Sequence, residues 1–321
     1  MINFINFSSA NKLDISGHKD IDFVDIFVNT DVSLFLDAER IEFSSGECAE
    51  KSLAAIQDFF RELYTAVEYG DMIRVRHLLS GGGECNELHL GYSTKKSRGR
   101  GSSENILLPI ILQMIRQGYF NRVQKLSDFP LWADNFGEDR CSDLIGRLIR
   151  MPLYEYTREQ CIQWGCLKYG SKSYSGNYWD ISKHDWASFE VPQIVAANTP
   201  ILLCPQTFVG TRLLTSAENF FRKFVLTQRQ EDLLAERSPL CHFSLDKRGF
   251  EKISKPTKSE ICQFEVKGQS HKSYSYNMLE QHPHLLSAYH LEHKYNLKNG
   301  KLFLTPHELD YIVYGKLKKA I

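Results

Sequence analysis

The sequence of 321 residues contains no run that approaches eighteen consecutive apolar residues, so it predicts no membrane-spanning helix. Its 39 basic and 39 acidic residues balance, which excludes a chain that is drawn as a whole to nucleic acid or to an anionic membrane. Residues 1–7 lack the basic start and long apolar stretch of a secretory signal. These absences predict a cytoplasmic protein with no membrane partner.

Several familiar catalytic signatures are missing as well. The chain has neither a Gly-x-Gly-x-x-Gly loop nor a Walker-type Gly-Lys-Ser/Thr, which disfavours the known kinds of nucleotide binding. It has no Gly-x-Ser-x-Gly element, so nucleophilic catalysis by serine is not indicated. Its eight cysteines are scattered, which predicts reduced thiols rather than a disulfide framework or a zinc finger. The sequence leaves open whether the chain is an enzyme.

The residues that are present indicate a globular protein, because 42% are apolar and 24% are charged. Alternation of apolar and acidic residues over 21–41 predicts two short strands. Helical spacing from Leu53 to Val67 predicts a helix capped by Ser44 or Ser45. Residues 168–185, rich in glycine, serine and tyrosine, are predicted to form a loop.

These patterns predict an α+β fold that is rich in helix and has a small mixed sheet. A degenerate restriction-endonuclease-like core is one architecture that fits them. The length predicts about two domains. We expect a main α+β domain over residues 1–240, which carries the candidate site, and a smaller, mainly helical region over residues 241–321. Two amphipathic helices near the C-terminus offer apolar faces to a partner protein.

A basic loop is the first candidate binding element. Lys95, Lys96, Arg98 and Arg100 fall within six residues, between glycines 91 and 101. Exposed amides and guanidinium groups suit the binding of phosphate, so these four residues are predicted to contact the backbone of a nucleic acid. The alternative is a solvated loop that precedes a helix, and the sequence does not decide between the two.

Three acidic residues flank this loop and are the candidate catalytic and metal-binding groups. Glu87 precedes the loop, and Asp139 and Asp143 follow it. Carboxylates gathered around Mg²⁺ are typical of nucleases that hydrolyse phosphodiester bonds. The (D/E)-x-K triplet that completes a PD-(D/E)xK nuclease does not follow within reach. The alternative is that Asp139 pairs with an arginine and that Ser142 or Asp143 caps a helix.

Five short elements, in one order, resemble those of a prokaryotic family without an assigned activity. The resemblance spans roughly residues 30–210, and two positions depart from it. Ala38 replaces a proline, and Gln206 replaces a lysine that could be catalytic in the family. Such families occur beside mobile elements and antiviral genes, so the resemblance implies a role in defence. The elements are Leu34-Phe-Leu-Asp37, Glu87-Leu-His-Leu-Gly-Tyr-Ser93 with Gly99-x-Gly101, Asp139-Arg-Cys-Ser-Asp143, Tyr156-Thr157 and Leu202-Leu-Cys-Pro-Gln206.

Two functional hypotheses follow from these residues. The first is a protein that acts on nucleic acid in prokaryotic antiviral defence, as a Mg²⁺-dependent nuclease with Glu87, Asp139 and Asp143 around the metal. The second is a non-catalytic subunit of a defence complex that docks onto a partner such as an ATPase. The neutral net charge and the incomplete set of catalytic residues fit the second hypothesis.

Overall fold

The computed structural model of the protein describes residues 4–81, 85–92 and 103–319. Across these ranges, no helix combines the length and the apolar character needed to cross a bilayer. The chain divides into two compact units. The first contains residues 1–129, 133–214 and 300–321, and the second contains residues 130–132 and 215–299.

Most of the regular structure is helical. A π-helical segment, Phe221–Val225, joins the helices Ala217–Phe220 and Leu226–Ala235 into one continuous helix. The helices are α1 (Phe7–Asn11), α2 (Ala38–Glu42), α3 (Glu47–Glu68), α4 (Met72–Ser80), α5 (Ser103–Arg116), α6 (Phe129–Trp132), α7 (Glu138–Leu148), α8 (Arg150–Gln163), α9 (Ala217–Phe220), α10 (Leu226–Ala235), α11 (Lys258–Ile261), α12 (His271–Gln281), α13 (His284–Lys298) and α14 (Pro306–Lys319).

The strands are short and pair in four small sheets, in the orders β1-β7, β2-β5-β6, β3-β4 and β8-β9. The predicted α+β class is confirmed, but these ladders are antiparallel rather than mixed. Antiparallel pairs need only short turns, whereas parallel pairs need long crossovers. The restriction-endonuclease-like core stays a prediction. The strands are β1 (Phe35–Leu36), β2 (Tyr169–Ser173), β3 (Asn177–Asp180), β4 (Asp185–Ser188), β5 (Pro192–Ala196), β6 (Thr199–Pro200), β7 (Val209–Gly210), β8 (His242–Leu245) and β9 (Glu251–Ser254).

The long helix α3 lies at the centre of the first unit. Its buried side chains recur every three or four residues, including Ile56, Phe59 and Leu63, as the spacing predicts. The predicted serine cap is wrong, because Gly46 occupies the N-cap position and makes no side-chain hydrogen bond. Asp58 of α3 accepts a hydrogen bond from the Trp179 indole (2.9 Å), so β3 is fastened to the helix.

Two predicted segments differ from the structure. The region 21–41 contains a single strand, β1, and most of α2, whereas residues 21–34 form no ladder and are held by isolated bridges such as Phe23 to Pro205. Residues 168–185 form β2, β3 and the start of β4 rather than a loop. Buried aromatic rings, among them Tyr174 and Trp179, stabilise these strands despite the many small polar residues around them.

The second unit consists of α9–α13, the hairpin β8-β9 and a short segment that ends at Trp132. Trp132 is buried and packs edge-on against Phe220 and Tyr276. Leu291 and Tyr295, one turn apart on α13, are exposed, and the protein partner that could cover them stays a prediction. The predicted domain boundary near residue 240 falls inside this compact unit, and it also stays a prediction.

The last helix, α14, belongs to the first unit. Thr305 and Glu308 form a capping box at its start, in which the Thr305 hydroxyl accepts from the Glu308 amide (3.2 Å) and the Glu308 carboxylate accepts from the Thr305 amide (2.8 Å). Asp310 accepts a hydrogen bond from Nδ1 of the buried His18 (2.7 Å). Tyr314 donates to Asp25 (2.9 Å). These bonds attach the end of the chain to its beginning.

Candidate functional site

The candidate site is built on the segment from Glu87 to Gly91, which leads into the basic loop. The Glu87 carbonyl oxygen accepts from the amide of Leu202 (2.6 Å). The His89 carbonyl accepts from the amide of Val32 (2.8 Å), and the Gly91 amide donates to the Val32 carbonyl (2.8 Å). Backbone bonds on both sides therefore hold the base of the loop in place.

Glu87, the first predicted acid, has both carboxylate oxygens bound to protein groups. Its Oε1 pairs with the guanidinium of Arg150, and its Oε2 accepts from the thiol of Cys85 (3.4 Å). The Arg150 side chain is only 1% exposed; it also donates to the Ser175 carbonyl (2.8 Å) and lies 4.4 Å from the centre of the Phe189 ring. A buried charge needs such partners, because removing it from water is costly.

Arg147 lies beside Arg150, and both guanidinium groups approach Gly176. A Cβ at Gly176 would lie 2.5 Å from Nη1 of Arg147 and 2.8 Å from Nη1 of Arg150, and its φ is +112°, so a glycine is required there. Burial lowers the pKa of Arg147 and the neighbouring Arg150 lowers it too, whereas nearby acidic groups, Glu87 and Asp143 among them, raise it. Two of the predicted acids therefore act on one guanidinium.

Asp139 and Asp143, the other two predicted acids, lie one turn apart on α7, so they share a side of that helix. Arg147 follows on the same side, one further turn along. A Cβ at Gly91 would lie 3.0 Å from Oδ1 of Asp139, which places the start of the basic loop against the first turn of α7. The structure thus brings Gly91 and Asp139 together.

The helix cap predicted at Ser142 or Asp143 is wrong, because both residues lie inside α7, whose N-cap is Gly137. The Ser142 hydroxyl instead accepts from the Leu36 amide (3.0 Å) and joins α7 to β1. A serine caps a helix only when the residues before it lie outside that helix. Here α7 begins at Glu138, four residues before Ser142.

The predicted basic residues Lys95, Lys96, Arg98 and Arg100 lie outside the described residues. Within the described ranges, no group of three or more histidine, cysteine, aspartate and glutamate side chains is arranged to hold a metal ion. The Mg²⁺ site predicted around Glu87, Asp139 and Asp143 stays a prediction.

Two positions that depart from the resembled family have structural explanations. Asp37 caps α2 by accepting from the Glu39 amide (2.9 Å), and Ala38 is the first helical residue, a position that proline favours. Nε2 of Gln206 donates to the carbonyl oxygens of His18 (2.8 Å) and Ile21 (2.7 Å). Gln206 thus has a structural role in this chain, in which it holds the backbone of residues 18–21.

Sequence reasoning did not single out Arg147 and Arg150 as site residues. Arg150 follows Leu148 and Ile149 and precedes Met151, and a lone cation in an apolar run is the signal that could have indicated a buried charge. Its partner Glu87 is 63 residues away in the sequence, so the pair itself had no local signature.

His89, beside this site, makes the stability of the protein depend on pH. Burial lowers the pKa of His89, and its Nε2 donates to the Pro200 carbonyl (3.2 Å). The unfolded chain therefore binds a proton more readily, and this contribution to stability is lost as the pH falls below about 6.5.

His89→Asn should thus reduce the fall in melting temperature between about pH 7.5 and about pH 5.5, because asparagine tolerates the positive φ of this residue and does not titrate. Thermal unfolding of both proteins at the two pH values measures the effect. An equal fall in both would show that another group carries the pH dependence.

Residues 12–216 match the model of a family described as a domain of unknown function (DUF8370). This match covers more than half of the chain, so the chain belongs to that family. No curated protein and no solved structure was found to match it.

Proposed function

We propose that this member of a family of unknown function acts on nucleic acid, at the surface formed by Gly91 and the first turns of α7, and that it hydrolyses phosphodiester bonds with Mg²⁺. One observation carries the proposal. Gly91, which leads into the basic loop, lies against Asp139, and Asp143 and Arg147 follow along the same side of α7.

The cations of the loop supply the affinity. Nucleic acid is bound chiefly through its phosphates, and each neutralised phosphate releases counterions. The chain has no net charge, so its attraction for phosphates has to come from a local cluster of cations. Such a cluster is formed by Lys95, Lys96, Arg98 and Arg100, which fall within six residues. We therefore expect binding that weakens steeply with salt.

Asp139 and Asp143 hold the metal in this proposal. Mg²⁺ is commonly bound by one or two protein carboxylates together with phosphate oxygens of the substrate, so a site of this kind is complete only when the nucleic acid is present. Glu87 has a different role here: it holds Arg150, which lies against Arg147. Arg147, one turn beyond Asp143 on the same side of α7, would stabilise the charge that develops on the phosphate.

Asp143→Asn tests the proposal, because it keeps the shape of the side chain and removes the negative charge. Loss of one of two metal-binding carboxylates is expected to slow cleavage by about 100-fold or more, which corresponds to several kcal/mol of stabilisation by the metal. The measurement is cleavage of labelled single-stranded DNA, duplex DNA and RNA with Mg²⁺ or Mn²⁺. Glu138→Gln is the matched control, since it removes one negative charge from the same helix.

Cleavage at the wild-type rate by Asp143→Asn would remove Asp143 from the mechanism. A wild-type protein that binds these substrates without cleaving any of them would limit the function to binding. The role in antiviral defence and the docking onto a partner protein stay predictions from the sequence.

A further inference from the structure

A hairpin in the second unit, formed by β8 and β9, carries a second candidate surface. Its strands pair in regular antiparallel register, from His242 opposite Ser254 to Leu245 opposite Glu251. Nearly all of its residues are exposed. An isolated two-stranded hairpin is only marginally stable in water. The regular pairing of this exposed hairpin therefore needs an explanation.

The turn at the tip of the hairpin is held by Asp246. Its Oδ1 accepts from the amides of Arg248 (2.8 Å) and Phe250 (2.9 Å), and its carbonyl accepts from the amide of Gly249 (3.0 Å). Gly249 has a φ of +81°, which the turn requires and which glycine adopts without strain. The two central residues, Lys247 and Arg248, are thereby fixed at the tip.

Three cations on the hairpin have no acidic partner. Lys247, Arg248 and Lys252 are exposed, and their side chains make no hydrogen bond or ion pair with the residues that the structure describes. Of the two acids in this run, Glu251 is neutralised by an ion pair with Arg237, and the Asp246 carboxylate accepts from backbone amides of the turn. The three cations outnumber the single charge of Asp246, so the tip and its neighbouring face carry a net positive charge.

An exposed aromatic ring lies among these cations. The Phe250 side chain is 67% exposed, although it is large and apolar. Side chains alternate between the two faces of a strand, so Phe250 and Lys252 share one face and Glu251 lies on the other. An exposed ring flanked by unpaired cations is the combination with which proteins bind single-stranded nucleic acid, since the ring stacks on a base and the cations contact phosphates.

We propose that the tip of this hairpin binds single-stranded nucleic acid, with Phe250 stacked on a base and Lys247, Arg248 and Lys252 at the phosphates. The inference deepens the proposed function and rests on it, because it names the form of substrate that the protein would act on. Duplex DNA is a weaker ligand for this surface, since its bases are stacked on one another and offer no free face to Phe250.

The residues of the hairpin argue against two alternative ligands, a membrane surface and a partner protein. A loop that inserts into a membrane carries apolar residues at its tip, whereas Lys247 and Arg248 come first here and would have to enter the hydrocarbon. Lysine is depleted in protein–protein interfaces, and this run of residues has two. Both alternatives are nevertheless outcomes of the experiment.

The test measures the affinity of fluorescein-labelled oligo-dT and oligo-U for the full chain, over a series of salt concentrations. In Lys247→Ala/Arg248→Ala, the slope of log affinity against log salt should fall by about 1.4, the value for two lost contacts to single-strand phosphates. The matched control, Lys294→Ala/Lys298→Ala, removes the same charge from α13 of the same unit and should bind like wild type.

The ring is tested separately by Phe250→Leu, which keeps an apolar side chain and removes the stacking surface. Affinity should fall about fivefold or more. Phe264→Leu is its control, because Phe264 is 63% exposed in the same unit and should leave affinity unchanged. All of these positions are exposed, so unchanged thermal unfolding is expected for every variant and establishes that each one folds.

The outcomes separate this inference from the proposed function. Loss of binding in Lys95→Ala/Lys96→Ala but not in the hairpin variants would overturn the hairpin and leave the site at α7. Loss of binding in the hairpin variants alone would support the hairpin and overturn the basic loop as the binding element. Binding to phosphatidylserine vesicles or to a protein, with none to either oligonucleotide, would overturn the inference.

Discussion

Arg150→Met is expected to lower the free energy of unfolding by about 3–5 kcal/mol, as measured by urea denaturation. The Arg150 side chain is almost fully buried, and its removal takes away the ion-pair partner of the largely buried Glu87 carboxylate. The hydrogen bond to Ser175 and the contact with the Phe189 ring are lost at the same time. No other substitution proposed for this chain is expected to cost as much.

The double variant Arg150→Met/Glu87→Leu separates charge from packing. Replacing both members of a buried ion pair by apolar side chains is often nearly neutral, so most of the lost stability should return. A double variant as unstable as Arg150→Met alone would show that the packing of the Arg150 side chain against the aromatic rings, rather than its charge, stabilises this part of the first unit.

Gly81→Ala is expected to destabilise the protein by about 3 kcal/mol, because the added methyl group has no room. A Cβ at Gly81 would lie 2.1 Å from Cε2 of Trp186 and 2.3 Å from its Nε1. The ring would have to move, and the hydrogen bond from its Nε1 to the Leu78 carbonyl (2.8 Å) would break. The φ of Gly81 is −77°, which alanine adopts freely, so the effect is steric and owes nothing to backbone strain.

The steric effect of the Trp186 ring on Gly81→Ala can be checked in a protein that lacks this ring. In a Trp186→Leu protein the space beside Gly81 is open, so adding Gly81→Ala should cost much less than it does in the wild type. Thermal and urea unfolding of the two single variants and of the double variant give the coupling directly. Equal costs in the two backgrounds would mean that the Trp186 ring is not what limits residue 81.

The helices were the most predictable part of this fold. The spacing in α3 predicts its buried face, and Thr305 with Pro306 predicts the start of α14, because caps and helical periodicity are local properties. The two strands predicted over 21–41 were not both found, because apolar and acidic residues also alternate in an extended chain that is held by isolated bridges and forms no ladder.

The location of the candidate site stays a prediction from glycines and clustered charges that are visible in the sequence. The structure places one predicted acid, Asp139, against Gly91 at the base of the basic loop. The contact between Glu87 and Arg150 was not predictable, because residues far apart in sequence meet only through the packing of several elements. Helix capping at Asp143 failed because local rules do not reveal where a buried helix begins.

The hydrogen bond between His18 and Asp310 can form only late in the synthesis of the chain. These residues are 292 positions apart, and the whole second unit lies between them in the chain. A ribosome adding about 5–20 residues per second completes residues 215–299 before it reaches α14. His18 can therefore meet Asp310 only after the whole second unit has been synthesised.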